Sequence, residues 1–134
     1  MAHALFNYDG LCKNIHGHSY RLWVTVIGDT LDDENSVKNG MVLDFSLLKK
    51  IVKPDIVDKY DHSFVLNANS PHANIDLSAF EKVFLLPYQP TSENLVHDFA
   101  MTIQKKLPEN IKLYKVVLSE TANSFAEWCA EDHC

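Results

Sequence analysis

The sequence predicts an α+β fold, an antiparallel sheet with two helices on one face. Alternating apolar and polar residues near both ends of the chain predict half-buried strands. Two segments between them carry apolar residues at helical spacing. The order strand, strand, helix, helix, strand, strand puts a hairpin at each end, which favours one antiparallel sheet covered by helices. Such an open sheet leaves unpaired edges, so self-association is expected.

The first hairpin is predicted between residues 19 and 45. Residues 19–28, SYRLWVTVIG, alternate between two faces as a strand does. The polar segment 29–40 ends in Asn39-Gly40, a dipeptide typical of hairpin turns. The chain is then expected to return through the apolar segment MVLDF.

The first helix is predicted to follow Asp44, a favourable N-cap residue. Apolar residues continue at helical spacing: Phe45, Leu48, Ile51 and Val52. Pro54 ends or kinks this helix because proline lacks a backbone donor, and DIVDKY can extend it by a turn or two. Residues 61–67 are expected to form a short loop or strand, and 68–80 a surface loop before the apolar stretch KVFLLPY.

The second helix is predicted to open at Pro90 and Thr91 and to stop at Pro108. Glu93 in its first turn favours the helix macrodipole. Its apolar residues recur at every fourth position: Leu95, Phe99, Ile103 and Leu107.

The second hairpin is predicted from residues 112–120 and 124–129, followed by the polar tail AEDHC. The tail and the residue before it contain metal-ligand residue types: Cys129, His133 and Cys134. Two of these are adjacent at the chain end, which suits a tetrahedral site poorly, so a polar tail is expected.

The composition is that of one globular domain spanning residues 1–134. A net charge of −6 and a pI near 5.5 argue against general affinity for nucleic acid, which needs clustered Lys and Arg. No apolar run approaches the ~20 residues of a membrane span, and the first residues lack the pattern of an export signal. The odd number of cysteines, 3, favours reduced thiols, so the sequence predicts a cytoplasmic protein.

The segment CKNIHGHSY, residues 12–20, carries the strongest chemical signal. His16 and His18 flank Gly17 beside a strand, so we expect their side chains on one face with Cα atoms ~6.5–7 Å apart. Two imidazoles at that spacing can converge on zinc, and Gly17 permits close approach. His3 is the nearest candidate for a third ligand. Surface histidines and a solvated terminus are the alternatives.

Cys12, four residues before His16, has two competing roles. As a fourth ligand it would close a tetrahedral site with the three histidines and make the metal structural. Left unligated beside a cation, its thiolate would be favoured and it would act as a base or nucleophile. A buried inert thiol is the third alternative.

Asp61-His62 and Glu120 supply further groups for chemistry. A carboxylate that orients an imidazole is the usual arrangement of an acid–base histidine, but adjacent strand residues point apart, so the pair needs a turn or a subunit contact. Glu120 interrupts an apolar strand with a carboxylate that can accept two parallel N–H bonds from a pterin- or guanine-like edge. A polar loop and a solvated strand end are the alternatives.

Taken together, these residues resemble the 6-pyruvoyl-tetrahydropterin synthase and 6-carboxytetrahydropterin synthase (QueD) family. Six motifs occur in the family's order: AHALF, CKNIHGHSY, GMVLDF, YDHSFVLN, PTSENL and SET. The resemblance extends from about His3 to about Phe125. It implies the tunnelling fold, a ββααββ subunit that trimerises into a barrel and stacks into a hexamer with active sites at subunit interfaces. Family members have several strand residues before the histidine matching His3, so a shortened N-terminal strand is expected.

The resemblance also implies roles for individual residues. It implies three ligands of a catalytic zinc that keeps an open place for the hydroxyls of the substrate: His3, His16 and His18. It implies a base, Cys12, and a proton-transferring partner, the pair Asp61 and His62. It implies two substrate contacts, Glu120 for the pterin ring and Thr91 for the wall of the pocket.

Spacing within the motif indicates a subtype. Three residues separate Cys12 from His16, as in bacterial QueD-like members, whereas animal pyruvoyl synthases carry a longer insert. The resemblance therefore favours conversion of 7,8-dihydroneopterin triphosphate to 6-carboxytetrahydropterin, acetaldehyde and triphosphate on the route to queuosine. The 6-pyruvoyl-tetrahydropterin synthase is the second candidate, and a non-catalytic zinc- or pterin-binding domain is the alternative of another class.

Overall fold

The computed structural model describes residues 1–133, and Cys134 of the C-terminal tail lies outside the described residues. Within this range the chain forms strands and helices in the following order: β1 Ala2–His3, β2 His16–Gly17, β3 Arg21–Ile27, α1 Phe45–Val52, α2 Asp58–Tyr60, β4 Phe64–Asn67, β5 Val83–Leu86, α3 Ser92–Gln104, β6 Lys112–Ser119 and β7 Phe125–Cys129. Short 3₁₀ turns lie at Leu11–Lys13, Pro71–Asn74 and Ala130–His133. The expected polar tail thus begins as an ordered turn. None of these helices is long and apolar enough to cross a membrane.

A three-stranded antiparallel sheet, in the order β3-β6-β7, joins one strand from the N-terminal part of the chain to the two C-terminal strands. The second predicted hairpin is confirmed, since β6 and β7 pair from Lys115↔Cys129 to Ser119↔Phe125. Strand β3 alternates in burial as its sequence predicts, and it pairs with β6 from Arg21↔Ser119 onwards. The long-range pair β3·β6 therefore replaces the hairpin expected at the N-terminal end.

The predicted return strand MVLDF is wrong, although its turn is present. Gly40 adopts a left-handed φ of +82°, and Leu31 accepts from the amide of Gly40 at 2.7 Å and donates to Met41 at 2.9 Å. Pairing stops there because Asp44 must cap α1, where its Oδ1 accepts from the amide of Ser46 at 2.8 Å. The prediction that Asp44 is the N-cap of α1 is confirmed. The start of this helix prevails over the strand pattern of the preceding residues.

A second sheet, in the order β2-β1-β4-β5, was not expected as a separate unit. Strands β1 and β2 pair antiparallel, whereas β1–β4 and β4–β5 are parallel. Strand β4 lies in residues 61–67, which were expected to form a short loop or strand. Strand β5 lies in the apolar stretch KVFLLPY. The short strand β1 lies between β2 and β4, and its register places His3 opposite His16.

The helices pack on one side, as predicted. Pro54 lies in a π turn, Lys53–Val57, through which the chain passes from α1 into α2, so it kinks the helical path rather than ending it. Helix α3 packs against β6 and β7. Three of the four predicted apolar residues of α3 are buried, Leu95, Phe99 and Ile103. They form the core with the inner faces of the β3-β6-β7 sheet, and α3 thereby holds its N-terminus beside β1.

Candidate metal centre and active site

Three histidines converge at the junction of the two sheets. His3 on β1 faces His16 on β2 as a direct antiparallel pair, and His18 follows two residues later on the way into β3. One ring nitrogen of each lies within 4.8 Å of the others. The ring centroids are 4.5 Å apart for His3–His16, 5.0 Å for His16–His18 and 5.4 Å for His3–His18. The structure therefore brings the three predicted ligands together.

Backbone carbonyls determine which nitrogen of two rings carries the proton. Nδ1 of His3 lies 2.7 Å from the carbonyl oxygen of Pro90, and Nδ1 of His16 lies 2.8 Å from that of Asn14. A carbonyl only accepts, so both Nδ1 atoms donate and both Nε2 atoms of the neutral rings present lone pairs. These Nε2 atoms face each other at 2.9 Å. Burial lowers the pKa of His3, which favours its neutral form.

The arrangement fits a metal ion. Two opposed lone pairs repel unless a cation lies between them, and the buried Nε2 of His18 has no hydrogen-bond partner in the described part of the chain. Metal-bound histidines commonly donate their other N–H to a backbone carbonyl, as His3 and His16 do. Three imidazole nitrogens suit zinc and other late divalent metals. These side chains could therefore hold one metal ion.

Cys12 stands outside the ligand cluster. It lies half-buried in the 3₁₀ turn Leu11–Lys13, and its carbonyl accepts from the amide of Leu5 at 2.9 Å. The metal-ligating group found among the described residues consists of the three histidines alone. The open-site alternative is therefore favoured over a closed tetrahedron with Cys12 as fourth ligand.

Asp61 and His62 form a pair within a turn. His62 has a left-handed φ of +57°, and its Nδ1 donates to Oδ1 of Asp61 at 3.0 Å. This hydrogen bond lowers the pKa of Asp61. The side chains are 67% and 90% exposed for Asp61 and His62, and both line a cavity of about 570 Å³ together with His18 and Tyr20. Cys12 is not among the described residues that line this cavity.

Glu120 is not a solvated strand end. Its side chain is 24% exposed, and Oε2 lies 3.8 Å from Nε2 of His18. Its backbone amide donates to Ser124 at 2.9 Å, which fixes the turn after β6. The carboxylate therefore lies directly beside the histidine cluster.

The hydroxyl of Thr91 caps the N-terminus of helix α3. Its hydroxyl accepts from the amide of Asn94 at 3.3 Å at the N-terminus of α3. It follows Pro90, whose carbonyl holds His3, so its backbone lies beside the cluster. Thr91 thus fixes the end of α3 that touches the site.

Tyr20 was missed as a site residue. Its ring centroid lies 5.4 Å from that of His18, and its hydroxyl lies 3.5 Å from both ring nitrogens of His3. Burial, followed by the nearby charge of Glu120, raises the pKa of Tyr20 above its ordinary value. The signal was available, because Tyr20 continues the two-residue spacing of His16 and His18. Gly17, in contrast, is not needed for space within one subunit: an added Cβ would lie 3.6 Å from the carbonyl of Met1.

Comparison with known proteins places the chain in a family. The family model described as 6-pyruvoyl tetrahydropterin synthase matches residues 1–131. The chain belongs to this family. A relative from Haemophilus influenzae is 34% identical over 132 residues, covering 96% of this chain and 91% of that protein. One from Aquifex aeolicus is 38% identical over 130 residues, covering 90% and 76%. Both are named 6-carboxy-5,6,7,8-tetrahydropterin synthase.

Solved structures of the 6-pyruvoyl tetrahydropterin synthase family share the fold of this chain. The Caenorhabditis elegans 6-pyruvoyl tetrahydropterin synthase matches with a TM-score of 0.64 at 26% identity, covering 96% of this chain and 87% of that one. The Plasmodium falciparum family member matches with a TM-score of 0.69 at 23% identity. The predicted tunnelling fold is confirmed.

Proposed function

We propose that the protein is a zinc-dependent 6-carboxy-5,6,7,8-tetrahydropterin synthase, which converts 7,8-dihydroneopterin triphosphate to 6-carboxytetrahydropterin, acetaldehyde and triphosphate for queuosine biosynthesis. The observation that carries the proposal is the cluster of His3, His16 and His18, whose third member lines a cavity shared with Asp61 and His62. The names of the Haemophilus and Aquifex relatives support this activity. We further propose a single domain over residues 1–134 and a cytoplasmic location.

The three histidines would hold the metal through nitrogens whose proton positions are already set by Pro90 and Asn14. Bound zinc supplies a Lewis acid that polarises hydroxyl and carbonyl oxygens, so that protons on the neighbouring carbons become removable near neutral pH. His3 is 1% exposed, which excludes water from that side of the centre.

Proton transfer is assigned to Cys12 and to the pair Asp61-His62. The bond from Nδ1 of His62 to Asp61 leaves Nε2 of the same ring to exchange a proton with substrate. Cys12 would remove a proton from the side chain of the substrate. Because Asp61 and His62 line the cavity and Cys12 is not among the described residues that line it, we assign the two groups of one active site to different subunits.

The surface supports a homo-oligomer with active sites between subunits, a trimeric barrel stacked into a hexamer. Leu11 and Ile15, which flank Cys12, are 84% and 63% exposed. Strands β3 and β7 lie at the two edges of their sheet, and an edge strand is a place where a strand of a neighbouring subunit can pair.

Glu120 is assigned to the pterin ring. Its half-buried carboxylate lies beside His18 and can accept two N–H bonds from the amino-pyrimidine edge of the substrate. The backbone of Thr91 would line the same pocket. With the pterin ring bound by Glu120, the reacting side chain of the substrate would lie at the three histidines.

The test is turnover of 7,8-dihydroneopterin triphosphate by the purified protein before and after metal removal, with products identified by mass spectrometry. We expect 6-carboxytetrahydropterin and acetaldehyde, with activity lost on chelation and restored by zinc. Full activity without metal would refute the metal role. A 6-pyruvoyl product would favour the second candidate function.

Replacement of Cys12 by Ala separates the enzyme from a non-catalytic zinc-binding domain. The enzyme hypothesis predicts that Cys12→Ala retains stoichiometric zinc and loses turnover. Loss of zinc together with loss of folding would show a structural site instead.

A further inference from the structure

The side chain of Gln89 pairs with the backbone of Phe6 as a neighbouring strand would. Its Oε1 accepts from the amide of Phe6 at 3.2 Å, and its Nε2 donates to the carbonyl of Phe6 at 2.8 Å. One carboxamide thereby satisfies both backbone groups of a residue 83 positions away. This ties the segment that follows β1 to the segment that precedes α3.

The same two segments meet a second time at the metal centre. His3 lies three residues before Phe6, and its Nδ1 donates to the carbonyl of Pro90, the residue after Gln89. The Gln89 segment is itself fixed to the helix, because its carbonyl accepts from the amide of Thr91 at 2.8 Å and from Nδ2 of Asn94 at 2.9 Å. Gln89–Phe6 and Pro90–His3 are therefore two adjacent links between the same pair of segments.

We propose that Gln89 is a positioning residue of the metal centre, which holds the carbonyl of Pro90 against His3 and so keeps the lone pair of His3 Nε2 directed at the metal. The inference rests on the proposed metal centre. Its physical basis is that a single hydrogen bond fixes a distance, whereas two adjacent links also fix the direction of approach. Without Gln89, His3 can turn away from Pro90 or move its proton to Nε2, and either change removes a ligand lone pair from the site.

The test compares Gln89→Ala and Gln89→Glu with a matched control, Asn69→Ala. The glutamate accepts from Phe6 but cannot donate to it, so it restores half of the pairing. Asn69 also donates its exposed amide to this region, to Pro87 at 3.4 Å, but within the described part of the chain its side chain forms no hydrogen bond with the β1 segment. Zinc affinity is measured by competition with a chromophoric chelator, and the His3 tautomer of the metal-free protein by long-range proton–nitrogen NMR.

We expect about tenfold weaker zinc binding for Gln89→Ala, the lower end of the range for outer partners of metal ligands. Gln89→Glu should fall between Gln89→Ala and the parent, and Asn69→Ala should match the parent. In the parent, His3 should carry its proton on Nδ1. In Gln89→Ala, signal from the other tautomer should appear.

Several outcomes would overturn the inference. Parent-like zinc affinity in Gln89→Ala would do so, as would an equal loss in Asn69→Ala, which would show general loosening of the region. The parent tautomer can overturn the inference even if a variant fails to fold, since a proton on Nε2 of His3 contradicts it directly. A parent protein that binds no zinc would instead refute the proposed metal centre, so the two failures are distinguishable.

Discussion

Removing His16 should abolish most of the stabilisation that metal gives the protein without weakening the metal-free fold. The Nε2 atoms of His3 and His16 lie 2.9 Å apart and both present lone pairs, which repel each other when no cation lies between them. His16→Ala relieves this repulsion, and the lost ring is only half-buried. We therefore expect the free energy of unfolding of metal-free His16→Ala to equal or exceed that of the metal-free parent.

The size of the metal effect follows from linkage. Free zinc at 1,000 times its dissociation constant stabilises the folded state by about 4.1 kcal/mol. Unfolding entropy of about 2.1 cal/mol/K per residue gives about 0.28 kcal/mol/K for a chain of 134 residues, so the melting temperature should rise by about 15 °C. If loss of one ligand weakens binding about 100-fold, the largest effect usual for loss of an outer partner, the same zinc concentration gives about 1.4 kcal/mol and a rise of about 5 °C.

Differential scanning calorimetry with chelator and with zinc measures both quantities. His62→Ala is the matched control, because His62 is 90% exposed and lies outside the ligand cluster, so it should keep the full rise. A parent-sized rise in His16→Ala would refute the assignment of His16 as a ligand. A metal-free His16→Ala markedly less stable than the metal-free parent would refute the argument from opposed lone pairs.

Three further changes test the structure. Burial lowers the pKa of His3 in the folded protein, so the unfolded state binds more protons as the pH falls below 6.5. The urea midpoint of chelator-treated protein should therefore fall as the pH drops through 6.5. A midpoint that does not change with pH would contradict this prediction. Thr91→Ala should cost about 1 kcal/mol in chemical denaturation by removing the cap of α3, whereas Thr91→Ser, which keeps the hydroxyl, should stay within a few tenths. Ile103→Ala should cost about 2–5 kcal/mol, since Ile103 is 0% exposed; a loss below 1 kcal/mol would place it outside the core.

Local patterns were sufficient for the elements whose pairing or capping is local. Asp44 and Thr91 cap their helices as their residue types predict, and β6 pairs with β7 across a short turn. The strand expected at MVLDF failed because an apolar run of that length fits a strand or the approach to a helix equally well. The hydrogen bond by which Asp44 caps α1 favours the approach to a helix over the strand.

The pairing of strands that are far apart in the chain could not be predicted from the periodicity of apolar residues. Periodicity shows which face of a strand is buried but carries no information about its partner, so neither β3·β6 nor the parallel contacts of β1 and β5 with β4 could be read from the chain. Tyr20 differs from these pairings, because its spacing from His16 and His18 marked its face of the chain, and only its contact with His3 depends on another strand.

The sequence by itself determined the residue types of the candidate centre and their local spacing, since His16 and His18 reach one face through the two-residue repeat of extended chain. It also carried the six motifs that mark the family. Only the tertiary structure decided that His3 joins them, that Pro90 and Asn14 set their proton positions, and that Cys12 stays outside the cluster. These outcomes depend on contacts between segments that are far apart in the chain, and the stability of each contact depends on residues of both segments.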